Sequence, residues 1–318
     1  MAPVRAATIR LDQGALRTSC PPRPQGQSCA CETWSRSSPG AGTGIGEAIS
    51  HKFAREGARL IISGLPAEPV QDVAEAIARA GAQVWPHLGD LAEKLAARAC
   101  AQLALRSFGA LDVMVSNAGI FIANAETDVY RIEDFGRAIR NNVRTAFLMT
   151  KFALPHLQAS RGNIVFTGSE ARLNSSPNFT PYGASKRLLH AFMKGVALEQ
   201  APYCVRANCV CPGPIDTAWT RGEASPIPLA TQAGIGAMVP LGRRGTPEEI
   251  ANAIAFLTSD EASYVTGALW LADGGVTPGK GDIGAHTPAD LQRAPDGVLT
   301  LKHSHDGLRG KEVYRAAE

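Results

Sequence analysis

The chain has 318 residues, of which 45% are hydrophobic, and a formal net charge of +3. This size and composition favour one soluble domain with a substantial core, and no apolar run reaches membrane-spanning length. Charges of both signs are dispersed, so the sequence does not indicate nucleic-acid binding. We therefore expect a small-molecule substrate, with no nucleic acid and no membrane as partner.

Residues 1–38 are rich in Pro, Ser, Arg and Cys and show no hydrophobic periodicity. The first strand of a doubly wound sheet is central and should be apolar because helices cover both of its faces. Glu32 and Arg36 are poorly suited to such a strand. Two explanations remain open: a frame error or misassigned start replaced the true strand, or residues 31–38 form a poor strand. We expect residues 1–38 to be atypical, and either disordered or misread.

A glycine-rich segment, Gly40-Ala-Gly-Thr-Gly-Ile-Gly46, runs directly into an amphipathic stretch at residues 47–54. Glycines allow close backbone approach, and a helix N-terminus offers N–H groups and a positive dipole end to a pyrophosphate. The segment predicts a dinucleotide-binding turn, although a glycine cluster taken alone is more often an ordinary turn.

Short apolar runs then alternate with longer helical patterns, which predicts strand–helix–strand units and a parallel sheet. The fold class expected is α/β, a single Rossmann-like domain with a doubly wound parallel sheet and an atypical first strand. Because open parallel sheets bind ligands at their carboxyl edge, residues that follow the strands should share one crevice. The strands predicted after the glycine segment are 59–63, 83–87, 111–115, 163–167, 205–210 and 268–271.

Tyr182 and Lys186 are four residues apart on a helix predicted over about residues 180–200. Positions i and i+4 share a helix face, so we expect the Lys186 ammonium to lower the pKa of the Tyr182 phenol from its usual value near ~10. Such a phenol acts as a general acid or base. Ser169, just past a predicted strand, could hydrogen-bond the same substrate oxygen.

The cysteines and histidines do not predict a metal centre. Cys29-Ala-Cys31 and Cys209-Val-Cys211 lack the C-x2-C spacing of zinc sites and thioredoxin-like redox pairs. His303 and His305 have no further ligands at a defined spacing. We expect reduced thiols, no metal and a cytoplasmic location.

Taken in order, these motifs resemble the short-chain dehydrogenase/reductase family, in its single-domain branch with Gly-x-x-x-Gly-x-Gly and Tyr-x-x-x-Lys motifs. The resemblance covers residues 39–276, which it implies are the catalytic domain, and leaves 277–318 as a C-terminal extension. It implies an NAD(P)-dependent enzyme that interconverts a secondary alcohol and a ketone by hydride transfer. An inactive or binding-only homologue, caused by the damaged first strand, is the alternative.

The resemblance also implies the site residues. Asn142, Ser169, Tyr182 and Lys186 match the catalytic tetrad, in which Asn142 holds a water linked to Lys186. Cofactor binding is implied for the glycine segment, for a pair after the third strand, for a turn after the fourth, for the two helix residues of the tetrad and for a Pro-Gly segment. These residues are Gly40, Thr43, Gly44, Ile45, Gly46, Asp90, Leu91, Asn117, Ala118, Gly119, Tyr182, Lys186, Pro212, Gly213, Ile215 and Thr217.

The choice between NAD and NADP rests on the segment after the second strand. NAD-preferring enzymes usually carry an acidic residue there and NADP-preferring ones a basic residue. Ser63-Gly-Leu-Pro66 has neither, and Thr43 is not basic. The missing cations favour NAD slightly. By resemblance we also expect a homo-oligomer, a tetramer or a dimer.

Overall fold

The computed structural model of the chain describes residues 29–33, 43–172, 177–218, 220, 225, 227, 229–279, 281, 283–288 and 290–292. The described strands form one seven-stranded sheet in the order β3-β2-β1-β4-β5-β6-β7, and every neighbouring pair is parallel. The strands are β1 (Cys29–Thr33), β2 (Arg59–Gly64), β3 (Val84–Leu88), β4 (Val113–Ser116), β5 (Asn163–Thr167), β6 (Arg206–Pro212) and β7 (Leu269–Ala272). This confirms the predicted doubly wound α/β fold.

Helices cover both faces of the sheet. They are α1 (Gly44–Arg55), α2 (Val70–Arg79), α3 (Lys94–Phe108), α4 (Ile132–Ile139), α5 (Thr145–Ser160), α6 (Thr180–Gln200), α7 (Leu229–Met238) and α8 (Pro247–Thr258). One buried apolar cluster joins the sheet to α3, α5 and α6, and a second joins it to α1, α2 and α8. None of the helices in the described part of the chain has the length and apolarity that a membrane span requires.

The first strand lies within the segment that the sequence analysis treated as atypical. β1 spans Cys29–Thr33 and pairs with β2 on one side and β4 on the other. It starts two residues before the poor strand considered at 31–38. Backbone pairing on both sides therefore forms a central strand in a stretch whose side chains do not predict one. The remainder of residues 1–38 lies outside the described residues, as does Gly40.

The other strands and the helix that carries Tyr182 lie close to their predicted positions. Strand boundaries shift by two residues at most, and α6 has the expected bounds Thr180–Gln200. The start of the C-terminal extension packs on the domain, where the Thr287 hydroxyl donates to the Pro240 carbonyl at 2.8 Å. Residues 293–318 lie outside the described part.

The cysteines differ in their covalent state. Cys100, Cys209 and Cys211 are buried and form no disulfide, in agreement with the expected reduced thiols. Cys204 is disulfide-bonded, so the expectation of a reduced thiol is wrong for this residue.

Candidate active site

A cleft at the carboxyl edge of the sheet gathers the loops that follow β4, β5 and β6. Its cavity volume is about 130 Å³. Most of the predicted site residues line it: Thr43, Gly44, Ile45, Asn117, Ala118, Gly119, Ser169, Tyr182, Lys186, Pro212, Gly213, Ile215 and Thr217. Thr167, Gly168 and Thr220 also line it and were not predicted.

Gly44 opens one wall of the cleft. It has a φ of +60°, and a Cβ at this position would lie 3.2 Å from Cγ2 of Thr217. The residue before it, Thr43, is extended and precedes the first turn of α1. A glycine is therefore required where α1 approaches the loop after β6. The result is a helix N-terminus that faces a narrow opening, which suits an anionic group.

The loop after β6 is held by a threonine that the sequence analysis missed. The Thr220 hydroxyl donates to the Ile215 carbonyl, and the Thr217 N–H donates to the same hydroxyl at 3.4 Å. Its position five residues after a lining residue, in a loop, gives no periodic signal in the sequence.

The lysine of the tetrad is buried, with 2% of its surface exposed. Its Nζ donates to the Thr167 carbonyl at 2.9 Å. A Cβ on Gly119 would come within 2.9 Å of this nitrogen, so a glycine at 119 leaves the lysine its space. Burial lowers the pKa of Lys186 to about 8, while the nearby Cys209 and Cys211 act in the opposite direction.

The electrostatic expectation for Tyr182 is wrong in this arrangement. Burial is the main cause that raises the pKa of Tyr182 above its ordinary value; the hydrogen bond with Ser169 opposes this rise, and the charge of Glu170 adds to it. The ammonium nitrogen of Lys186 lies 5.8 Å from the ring centroid and donates to the Thr167 carbonyl, and its charge does not outweigh the effect of burial. Tyr182 is thus held as a neutral phenol, which is a proton donor.

An aromatic stack fixes the orientation of the Tyr182 ring. Phe121 contacts it edge-on with ring centroids 5.3 Å apart, and Phe179 stacks on the other side of Phe121 at 4.8 Å. Such pairs stabilise a ring beyond its burial alone. Phe121 follows β4 and Phe179 precedes α6, so the stack also joins the segment after β4 to the start of α6.

Asn142 lies in a π-helical turn, Arg140–Arg144, between α4 and α5. Its carboxamide accepts from the Ile120 N–H at 2.6 Å and donates to the Ile120 carbonyl at 3.0 Å and to the Ser185 hydroxyl at 2.9 Å. The side chain is fully buried and does not line the cleft. π-turns are frequently found at functional sites, and this one binds the loop after β4 to α6.

Three further predicted residues lie outside the cleft lining. Asp90 accepts from Arg140 at 2.7 Å and from the Ala92 N–H at 3.0 Å, and Leu91 is fully buried in the apolar core. Gly46 is buried within α1. The structure therefore does not bring Asp90, Leu91 or Gly46 to the cleft formed around Tyr182.

Glu170 is a polar neighbour of Ser169. It begins a short 3-10 turn, Glu170–Arg172, directly after Ser169. Burial raises the pKa of the Glu170 carboxyl to about 7, and the charges of Asp273 and Cys211 add to the rise. The carboxyl therefore titrates near neutral pH beside Tyr182.

Comparisons with known proteins show the family of the chain. A family model described as Enoyl-(Acyl carrier protein) reductase matches residues 40–277. Cyclohexanol dehydrogenase of Acinetobacter sp. is 34% identical over 242 residues, which are 75% of this chain and 92% of that protein. L-fucose dehydrogenase of Bos taurus is 35% identical over 263 residues, 80% of this chain and 94% of that protein.

A solved structure gives the same result. The 3-ketoacyl-(acyl-carrier-protein) reductase of Brucella melitensis, crystallised with NADH, aligns with a TM-score of 0.68 and 28% identity over 80% of this chain and 99% of that chain. One assignment agrees with the fold, with the order of the motifs along the chain and with these matches. The chain belongs to the short-chain dehydrogenase/reductase family and is an NAD(P)-dependent enzyme of that family.

Proposed function

We propose that the protein interconverts a secondary alcohol and a ketone, with Tyr182 as the general acid and base. The observation that supports this most strongly is the convergence of Tyr182, Ser169 and Lys186 on the cleft that Gly44 opens. A phenol and a hydroxyl that already share a hydrogen bond can both contact one substrate oxygen. The relatives named for cyclohexanol and L-fucose act on hydroxylated carbons, which supports the same reaction class.

The proposed proton transfer follows from the positions of the side chains. In the reducing direction, the neutral Tyr182 Oη donates its proton to the carbonyl oxygen, and in the oxidising direction it takes the proton back. Ser169 holds that oxygen by a hydrogen bond. Lys186, cationic below a pKa of about 8, stabilises the phenolate that forms. Asn142 positions the loop after β4 through Ile120 and α6 through Ser185.

The lining residues fit a nicotinamide dinucleotide. Gly44 and Gly119 leave space where a Cβ would contact Thr217 or Lys186, and the start of α1 suits the pyrophosphate. Asn117, Ala118, Pro212, Gly213, Ile215 and Thr217 would hold the rest of the molecule. When bound, it supplies or accepts the hydride.

We further propose that NAD is preferred to NADP. NADP-preferring enzymes carry a basic residue in the segment after the second strand, whereas this chain has Leu65 there, just after β2. The Leu65 N–H donates to the Glu68 carboxylate at 3.1 Å. Glu68 is 5% exposed. A buried carboxylate in this loop disfavours a 2′-phosphate nearby through like-charge repulsion.

We propose a compact hydroxylated substrate. Phe121 contacts the Tyr182 ring edge-on and Glu170 directly follows Ser169, so an aromatic ring and a carboxyl lie next to two residues that line the cleft. A cyclic alcohol or a sugar-like polyol suits such neighbours.

A substrate panel tests these proposals. Cyclic alcohols, sugars and diols are oxidised with NAD or NADP, and the reduced nicotinamide is followed by absorbance. We expect turnover with a secondary alcohol and a higher kcat/KM for NAD. Cofactor binding without turnover across the panel would support the binding-only alternative, and a strong NADP preference would contradict the role assigned to Glu68.

We propose that the enzyme is a cytoplasmic homo-oligomer, either a tetramer or a dimer. Large apolar side chains are exposed on α4, α5 and α6, among them Ile132, Phe135, Phe147 and Leu188. Contiguous exposed apolar surface is typical of subunit interfaces. Light scattering after size-exclusion chromatography tests this, and a monomer at micromolar concentration would contradict it.

A further inference from the structure

A cluster of potential metal ligands lies behind the catalytic cleft, outside the proposed reaction. Cys211 Sγ is 3.6 Å from His190 Nε2 and 3.8 Å from Cys209 Sγ, and all three ligand atoms lie within 4.8 Å of one another. Both cysteines are fully buried and His190 is 4% exposed. We propose that His190, Cys209 and Cys211 form a zinc site.

The interatomic distances agree with the geometry of zinc. Zn–S bonds of about 2.3 Å and Zn–N bonds of about 2.0–2.1 Å at tetrahedral angles separate two sulfurs by about 3.8 Å and a sulfur from a nitrogen by about 3.6 Å. The two pairs that involve Cys211 already have these separations. The third pair, Cys209 Sγ and His190 Nε2, lies within 4.8 Å.

The fold explains why these three side chains meet. Cys209 and Cys211 are two residues apart on β6, so they point to the same face of the sheet. That face is covered by α6, which carries His190. A Cβ on Gly168 would lie 2.2 Å from His190 Nε2 and 2.7 Å from Cys209 Sγ. The absence of a side chain at Gly168 therefore leaves space beside His190 and Cys209, just after β5, that a Cβ would fill.

The charge balance also favours an ion. Two thiolates and a neutral imidazole compensate one Zn²⁺, so the occupied cluster has no net charge in a buried environment. Binding displaces the two thiol protons to solvent and uses the lone pair of His190 Nε2. Three protein ligands leave the fourth zinc position for a water or a small anion.

The site would support the catalytic residues without taking part in proton transfer. Gly168 separates Thr167, which accepts from Lys186, from Ser169. An ion held by β6 and α6 against Gly168 would fix this turn. The inference is independent of the substrate and of the proposed reaction, since it is tested by metal content.

The test uses the untagged full-length chain, produced in zinc-supplemented medium, treated with EDTA, desalted and analysed for metal by mass spectrometry. We expect close to one zinc per chain in the wild type and in the control Cys100→Ser, which removes a buried free thiol on α3. Cys211→Ser, which alters the ligand in contact with both others, should lose at least ~10-fold of the bound zinc.

X-ray absorption at the zinc edge of the wild type provides a result that does not depend on variant folding. Two sulfur scatterers near ~2.3 Å and one imidazole near ~2.0 Å are expected, and Co²⁺ incorporated in place of zinc should give a thiolate-to-cobalt charge-transfer band. Wild-type protein without stoichiometric zinc, zinc with nitrogen and oxygen scatterers alone, or full retention in a folded Cys211→Ser would each overturn the proposal.

Discussion

Lys186 donates its ammonium hydrogen bond to the main-chain carbonyl of Thr167, at 2.9 Å, and not to Tyr182. The lysine is thereby fixed to the end of β5, one residue before Gly168. Burial then governs both titrating groups: it raises the pKa of Tyr182 and lowers the pKa of Lys186 to about 8. The Tyr182 phenol therefore stays protonated, and the Lys186 ammonium could balance the charge of a phenolate.

Replacement of the phenol tests the assignment of the acid. Tyr182→Phe keeps the aromatic contact with Phe121 but removes the transferable proton, so we expect kcat to fall by about 10²–10⁴-fold. Cofactor affinity, measured by fluorescence titration, should change little. Tyr203→Phe, at a half-exposed tyrosine on the turn after α6, is the matched control. Unchanged turnover of Tyr182→Phe would refute the assignment.

Asn142 is predicted to stabilise the site. Asn142→Ala leaves the Ile120 N–H and carbonyl without the partners at 2.6 and 3.0 Å, and unsatisfied buried groups cost about 1–3 kcal/mol each. We expect a loss of about 2–4 kcal/mol in the free energy of unfolding, measured in urea. Asn141→Ala, which removes a bond to the Arg137 carbonyl of its own helix, should cost less. Equal losses would contradict the bridging role.

Gly44→Ala should impair cofactor binding and stability together. A φ of +60° strains any residue with a Cβ, and this Cβ would press on Thr217 at 3.2 Å. We expect about tenfold weaker cofactor binding, or about 1.4 kcal/mol. Gly57→Ala carries similar strain at a φ of +81° with open space around the Cβ, so it should destabilise the fold without altering the cofactor dissociation constant. If both variants bound cofactor as the wild type does, the cleft assignment of Gly44 would be wrong.

The pH dependence of stability should report on Glu170. Burial raises its pKa from an ordinary value of 4.5 to about 7 in the fold, so between these values the folded state binds more protons and the free energy of unfolding decreases as the pH rises. Glu170→Gln removes this dependence. Its stability relative to the wild type should increase between pH 4.5 and 7 and then level off, by on the order of 1–2 kcal/mol after solvent screening.

Thermal unfolding at a series of pH values measures the effect of Glu170→Gln. Glu261→Gln, at an exposed position, serves as the control for loss of one negative charge. Parallel stability curves for Glu170→Gln and the wild type would show that the carboxyl does not titrate in this range.

The sequence predicts those parts of the site that follow local rules. The spacing of Tyr182 and Lys186 on one helix face, and the placement of Ser169 after a strand, are consequences of helix and strand periodicity. The contact between Phe121 and Phe179 has no such periodicity, because the two residues come from different loops. The pairing of Asp90 with Arg140 likewise depends on tertiary packing, and it is why Asp90 lies outside the cleft lining.

The cysteine cluster shows the same limit. Cys209 and Cys211 have no zinc-binding spacing in the sequence, and His190 precedes them on a separate helix. The three side chains share a site because α6 packs on the face of β6 that carries both thiols. Motif spacing detects ligands that share a turn or a loop, whereas ligands collected across a sheet and a helix become visible when the layers are assembled.

The central position of β1 has a consequence for protein synthesis. The middle of the sheet is made early by the ribosome, yet its second neighbour, β4, is completed at residue 116. A polypeptide initiated downstream of residue 33 would leave β2 and β4 with bare facing edges, and such edges recruit strands from other molecules. Expression of a variant from which residues 2–33 have been deleted should therefore yield inclusion bodies, even though the cleft residues described above would all be present.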